Sequence, residues 1–274
     1  MVGTLLVRGM LVGIVAGLLA FWFAQLFAEP QIDRAIAFEE QMDAANAAKP
    51  AEETAKVGAQ APGGAGAHDH AVPQTAEPEL VSRAVQSTIG LLTGVVVYST
   101  AFGGLFALVF AFIHGRVGRL GPRATAALLA GAGFLAIALV PALKYPPNPP
   151  SVGDPQTIGY RTVLFFAMLV ISIAAMGFAV TLGRRLVASW GRWNAALIGG
   201  GTFVMIVAAC QLVLPQINEV PDQFSAVVLW QFRVASLGTQ LIMWTTIGLL
   251  FGALTERSLS VANRSSATRA FTSR

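Results

Sequence analysis

Long apolar stretches recur along the chain. Each is about as long as the roughly 20 residues that a helix needs to cross the hydrocarbon core of a membrane. The six stretches are Leu5–Phe27, Thr88–Ile113, Ala124–Leu143, Val163–Leu182, Asn194–Leu214 and Val234–Leu254. None of them contains Asp, Glu or Lys, and the single Arg8 lies near a span end, where its side chain can reach the interface. The pattern predicts an all-α polytopic membrane protein with six transmembrane helices.

The first stretch has two interpretations, a cleaved signal peptide or a retained anchor. Its apolar run exceeds the usual length of about 7–15 residues in a signal peptide, and Leu26-Phe27-Ala28 matches a small-x-small cleavage site poorly. We therefore predict a retained anchor. Small residues four apart indicate close helix packing in lipid. They are Gly9, Gly13 and Gly17, the pair Gly90 and Gly94, and the pair Gly248 and Gly252.

The polar connection between the first two spans, residues 28–87, differs from the rest of the chain. Residues 29–45 have apolar positions at roughly helical spacing and predict a short amphipathic helix. Residues 46–78 are rich in Ala, Pro, Gly and Glu, so we predict a disordered segment there. The predicted organisation is one transmembrane domain over residues 1–257 and a cytoplasmic tail over residues 258–274.

Three turns between spans resemble one another. Each combines proline with Asp or Asn, as in Pro30-Gln31-Ile32-Asp33 and Pro215-Gln216-Ile217-Asn218, and each is followed by a helix that opens at an arginine. The arginines are Arg83, Arg161 and Arg233. This predicts three helical hairpins in a pseudo-repeat, an arrangement used by some transporter folds. The alternative is that proline simply ends helices and arginine lies at interfaces.

Composition narrows the class of protein. The 274 residues are 55% hydrophobic and only 12% charged, about half the charge of an average soluble domain. The single cysteine excludes a disulfide scaffold. The net charge of +4 would suit a nucleic-acid partner only if the basic residues were gathered on one soluble surface.

The charges sort by side of the membrane. The termini and even-numbered connections hold 11 of the 18 basic residues but only Glu256 of the 14 acidic ones, so this side carries +10 and the other −6. By the positive-inside rule both termini face the cytoplasm, and the long loop 28–87 lies outside the bacterial inner membrane. The positive charge therefore reports membrane orientation, and we expect the lipid bilayer and no nucleic acid as a partner.

Common catalytic signatures are missing from the sequence. It contains no Walker A loop and no HExxH, CxxC or GxSxG motif, so we expect neither an enzyme nor an ATP site in this chain.

Candidate metal ligands lie in the predicted outer connections. His68 and His70 flank Asp69, and imidazole with carboxylate suits cobalt, nickel or zinc, although two histidines in a linker can equally be solvated. A ring of outer oxygens would attract cations if the hairpins gather, whereas outer loops are polar in any case. The predicted metal ligands are His68, His70, Glu29, Asp33, Asn148, Asp154, Asn218 and Glu219.

At these residues the sequence resembles the CbtA family of predicted cobalt transporter subunits, over about residues 1–257. The resemblance is carried mostly by loop strings, where hydropathy dictates little. They are Phe27–Pro30, Ile32–Glu39, His68-Asp69-His70, Glu79–Arg83, Lys144–Pro150, Val152–Pro155, Thr157–Arg161, Trp193-Asn194 and Leu214–Pro221.

The resemblance implies import of cobalt across the inner membrane for cobalamin synthesis. It also implies a small single-span partner, a CbtB-type subunit with a histidine-bearing tail. Cobalt would then be the transported substrate rather than a resident cofactor. Two other functions stay open at this point: a membrane scaffold that transports nothing and serves a metal enzyme complex, and a permease for another small solute.

Overall fold

The computed structural model describes residues 2–57, 81–116 and 120–272, and every regular element within them is helical. The helices are α1 (Val2–Phe27), α2 (Glu29–Val57), α3 (Arg83–Ile113), α4 (Pro122–Lys144), α5 (Ile158–Val213) and α6 (Ala226–Thr272). A π-helical turn interrupts α3 at Gln86–Gly90 and α4 at Phe134–Leu139, and a short 3₁₀ turn, Pro155–Thr157, precedes α5. The all-α prediction is confirmed.

Five segments of the described chain are long and apolar enough to cross a membrane: Val2–Phe27, Arg83–Ile113, Pro122–Lys144, Pro155–Val213 and Ala226–Ser260. The count differs from the predicted six because Val163–Leu182 and Asn194–Leu214 fall in one segment of 59 residues. The residues that join these two stretches keep helical backbone angles at every position but one, so no loop separates them.

Gly191 is the exception, and it breaks α5. Its backbone angles, φ 73° and ψ 167°, lie in a region that is open almost only to glycine. The two arms, α5a (residues 158–190) and α5b (residues 192–213), turn back on each other at this point. They approach so closely that a Cβ atom on Gly199 would lie only 2.9 Å from the carbonyl oxygen of Ala179.

Helices α1 and α3 cross with their backbones in close contact. A side chain on Gly103 would place its Cβ 2.9 Å from the Cα of Gly13, and one on Gly13 would lie 2.8 Å from the Cα of Thr100. The α1 glycines thus act as predicted, by letting two backbones approach. Helix α6 also packs against α1, and the core that these helices share contains Val12, Ala16, Phe106, Phe110, Met243, Ile247 and Phe251.

The other two glycine pairs behave differently from each other. Gly248 and Gly252 pack α6 against Ala126 and Arg123 of α4. Gly94 of α3 instead faces open space, since no atom lies within 4 Å of the position where its Cβ would be. The prediction of close packing from the four-residue glycine spacing is therefore confirmed for the α6 pair and wrong for Gly94.

Two helix boundaries differ from those predicted. Helix α2 continues past residue 45 to Val57, since Ala, Glu and Lys in this segment are strong helix formers. The predicted disorder over residues 46–78 is therefore wrong for residues 46–57, and residues 58–78 lie outside the described part of the chain. Helix α6 begins at Ala226 rather than near residue 234 and continues through the predicted tail to Thr272. Ser225 precedes its first turn, and its hydroxyl accepts a bond from the Val228 N–H at 3.5 Å.

Three connections gather at one end of the bundle, which we call the loop end: residues 28–40, 144–157 and 214–225. Ala35, Val152 and Phe224 are buried against one another there, and the rings of Phe38 and Phe224 meet edge to face at 5.1 Å. The hydroxyl of Ser151 also donates to the Ala35 carbonyl at 3.0 Å. Polar residues that are distant in sequence are thereby brought to one surface.

Candidate functional site

Glu29, Asp33 and Arg83 form the first polar cluster of the loop end. The Arg83 guanidinium donates from Nη2 to Glu29 Oε1 and to Asp33 Oδ1, the latter at 2.9 Å. Glu29 lies in the first turn of α2, where the helix dipole favours a carboxylate, and its side chain is only 6% exposed. Asp33 stands one turn further along with its side chain 63% exposed. The two acids therefore share one counter-ion, and Asp33 alone faces solvent.

Glu219 is the centre of a second cluster. Its Oε2 accepts the backbone N–H of Asp154 and the hydroxyl of Thr157, both at 2.9 Å, and lies 3.4 Å from Nε of Arg161. These contacts favour the ionised form and lower the pKa of Glu219; the Asp154 N–H has the largest effect, and the Thr157 hydroxyl and then the Arg161 charge add to it. The carboxylate thus ties the connection before α5 to the connection after it.

Asp154 and Asn148 lie in the connection between α4 and α5. Asp154 Oδ1 accepts the Gln156 N–H at 2.8 Å, which caps the 3₁₀ turn, and its carbonyl accepts from Arg161 Nη2 at 3.2 Å. Asn148 Oδ1 accepts from Nη2 of Arg233 at 2.8 Å. Both predicted residues are therefore engaged by an arginine from a long helix.

Each of the four predicted carboxylates keeps one oxygen for other partners. Hydrogen bonds within the described residues go to Glu29 Oε1, Asp33 Oδ1, Asp154 Oδ1 and Glu219 Oε2. The second oxygen of each accepts none from the described part of the chain. A carboxylate in this state can keep its present hydrogen bond and still offer one oxygen to a cation.

A cleft of about 720 Å³ opens beside the second cluster. Asn148, Asn218 and Glu219 line it near the loop end, together with Arg161 and Arg233. The cleft extends between α4, α5a and α6 as far as Tyr98 and Gln240.

Tyr98 and Gln240 also border a second cavity, of about 390 Å³, between α1, α3 and α6. Ser99 and Thr239 supply hydroxyls to this second space, and the Ser99 Oγ is fully buried with no hydrogen-bond partner among the described residues. The pair Tyr98 and Gln240 thus stands between two cavities, with Tyr98 near the middle of α3 and Gln240 about a third of the way along α6.

The structure brings the predicted residues together in part. Glu29 with Asp33 forms one cluster, Asp154 with Glu219 forms another, and Asn148 and Asn218 line the cleft. His68 and His70 lie outside the described residues. Within residues 2–57, 81–116 and 120–272, no group of three or more His, Cys, Asp or Glu side chains is placed to hold a metal ion.

Sequence reasoning missed the partners of these acids. Arg83, Arg161 and Arg233 are predicted only as helix starts, yet each contacts a polar residue of a connection. Tyr98 and Gln240 were missed as well. Gln240 lies within an apolar span, and a polar residue there is costly in hydrocarbon, so its position could have indicated a functional role.

A bundle of long apolar helices is typical of an integral membrane protein. At the loop end of this bundle, three carboxylates pair with arginines. The chain belongs to the CbtA family, described as a probable cobalt transporter subunit, whose sequence model matches residues 2–256. No curated protein and no solved structure matches the chain.

Proposed function

We propose that this chain is the membrane subunit through which cobalt, or a related divalent cation, is imported into the cell to serve cobalamin synthesis. The observation that carries the proposal is the presence of Glu29, Asp33, Asp154 and Glu219 at the loop end, where Glu219 lines a cleft that extends between the helices. Oxygen ligands held at the mouth of a cleft raise the local cation concentration. Membership of a probable cobalt transporter subunit family supports the choice of metal.

The proposed topology has six crossings, because α5a and α5b fold back at Gly191 and each arm is long enough to span. Both termini face the cytoplasm of a bacterial inner membrane, and the loop end faces outward. The sorting of 13 of the 14 acids to the connections predicted to lie outside supports this orientation. The three-hairpin pseudo-repeat remains part of the proposal, supported by the arginine contacts that Arg83, Arg161 and Arg233 make at that end.

The proposed route begins with His68 and His70, which collect the ion outside the membrane and pass it to the carboxylates of the loop end. Asn148, Asn218 and Glu219 then receive it at the cleft. Tyr98 and Gln240 lie at the inner end of the cleft, and Ser99 and Thr239 continue the line of neutral oxygens. A small single-span CbtB-type subunit completes the transporter, which agrees with the family's description as a subunit.

Substitution at the loop end tests the residues assigned to the ion. Glu219→Gln and Asp33→Asn keep side-chain shape and remove one negative charge each. We expect the initial rate of cobalt accumulation to fall about three- to tenfold, given that a charged mouth raises local ion concentration about tenfold or more. Glu256→Gln is the matched control, since Glu256 also pairs with an arginine, Arg123, but at the opposite end of the bundle. Uptake that is unchanged in both loop-end variants, at equal protein level, would remove these residues from the route.

A scaffold that transports nothing is the second candidate, because the carboxylates are engaged in holding the connections together. Purified chain in liposomes, alone and with its small partner, separates the two functions. Cobalt flux down a gradient supports the permease, whereas its absence in both preparations favours the scaffold. Flux of another solute in place of cobalt would make the chain a permease of different specificity.

A further inference from the structure

Arg233 carries a positive charge and has no acidic partner among residues 2–57, 81–116 and 120–272. The ion pairs among the described residues join Arg83 to Glu29 and Asp33, Arg123 to Glu256, and Arg161 to Glu219. Arg233 takes part in none of them, although it lies within a candidate membrane span. A charge placed in such surroundings is costly unless something compensates it.

The hydrogen-bonding capacity of Arg233 is mostly unused. Its Nη2 donates to Asn148 Oδ1 at 2.8 Å, a neutral acceptor. Its Nε is buried and has no hydrogen-bond partner among the described residues. A guanidinium has five N–H donors in a planar fork that matches the two oxygens of a carboxylate or phosphate group.

The cleft that Arg233 lines is positive rather than negative. Its lining contains Arg161 and Arg233 but only one carboxylate, Glu219, which already contacts Arg161. The Nε of Arg161 is also buried without a hydrogen bond. At about 720 Å³, the cleft is of the size that holds small molecules in proteins. A divalent cation that follows the proposed route past Arg233 therefore needs an anion there to offset the arginine's charge.

We propose that the cleft binds a small oxyanion, a carboxylate or phosphate group, which bonds to the free N–H groups of Arg233 with Arg161 beside it. The oxyanion supplies the counter-charge that the described part of the chain does not provide at this position. It would come either from a free anion in the medium or from the phosphate of a lipid headgroup, since the recognition chemistry is the same.

Binding is measured on the full-length chain, purified in non-ionic detergent and stripped of lipid. Citrate and inorganic phosphate are the free-anion probes, and chloride at equal ionic strength is the control for general salt effects. We expect a saturable rise in Tm of about 3 °C or more with citrate or phosphate and none with chloride. Mass spectrometry of phospholipid retained before stripping tests the headgroup as the source.

Arg233→Gln is expected to weaken the binding of the probe at least about tenfold or to abolish lipid retention. Arg34→Gln is the matched control: it removes the same charge from the loop end, where Arg34 bonds to Gln31 and Gln231 outside the cleft. Arg233→Lys keeps the charge without the planar fork, so it should bind the probe with intermediate affinity. This variant tests the proposal even if Arg233→Gln fails to fold.

A Tm that no probe raises, together with retained lipid that is equal in wild type and Arg233→Gln, would overturn the proposal. Equal loss of binding in the Arg34→Gln control would overturn it as well. These experiments measure anion binding, so their result does not depend on whether the chain transports cobalt. A chain that binds citrate but moves no cobalt would disprove only the transport function.

Discussion

The hydroxyl oxygen of Thr157 and the Oε2 of Glu219 lie 2.9 Å apart, although 62 residues separate them in sequence. Nearly all of those residues form α5, so the two ends of this helix lie side by side. A straight helix of this length would separate its ends by roughly 80 Å at about 1.5 Å per residue. The contact therefore depends on the break at Gly191.

The reversal of α5 predicts that Ser189 and Gln223 lie on opposite sides of the membrane, because each arm exceeds the roughly 30 Å of the hydrocarbon core. Both side chains are exposed. Single cysteines are introduced at these positions with Cys210, the only native cysteine, replaced by serine. An impermeant maleimide should label Gln223→Cys on intact cells and Ser189→Cys only after permeabilisation. Labelling of both from one side would contradict the six-crossing proposal.

Gly191→Ala should destabilise the protein by about 1–3 kcal/mol, because alanine resists the backbone angles that the turn requires. No atom lies within 4 Å of the new methyl group, so the cost is one of backbone strain alone. Gly177→Ala is the control, as it lies inside α5a with equally open surroundings. Thermal unfolding in detergent should show a lower Tm for Gly191→Ala and an unchanged or slightly higher one for Gly177→Ala. An equal Tm for the two variants would contradict the strained turn at Gly191.

Arg83→Gln should cost about 2–4 kcal/mol, because it leaves the buried Glu29 carboxylate without its counter-ion while the arginine itself is partly exposed. Arg123→Gln is the comparison, since its pair with Glu256 is largely exposed, and we expect about 0–1 kcal/mol there. The double variant Arg83→Gln with Glu29→Gln removes both charges and should regain most of the loss. Denaturant or thermal unfolding measures the stability of all three variants. Equal losses of unfolding free energy in the two single variants would show that the burial of Glu29 does not add to the cost.

The contacts of Glu219 predict a dependence of stability on pH. They lower the pKa of Glu219 from its ordinary value of 4.5, so the unfolded chain binds the proton more readily than the folded one. The stabilisation is therefore complete above 4.5 and is lost as the pH falls through the lower folded-state pKa. The Tm of wild type should exceed that of Glu219→Gln at neutral pH, and the gap should close in acid. A gap that stays constant across this range would contradict the assigned hydrogen bonds.

Hydropathy located the apolar helices because each must satisfy its own backbone in lipid, and that constraint leaves a strong local signal. The polar residues between Leu182 and Asn194 marked the division into two spans, but nothing in them indicated that the helix continues up to a single break at Gly191. The partners of Arg161 and Arg233 could not be predicted at all, because they lie in connections brought close only by packing around Ala35 and Phe224. The cleft is likewise a product of that packing.

Metal content of cells tests the central claim most directly. Cells that express the chain with its small partner, and cells that lack it, are grown with trace cobalt, nickel or zinc, and the accumulated metal is measured by mass spectrometry. We predict a several-fold rise in cobalt content that depends on the chain, with a smaller rise or none for zinc. Equal cobalt content with and without the chain would contradict the proposed function.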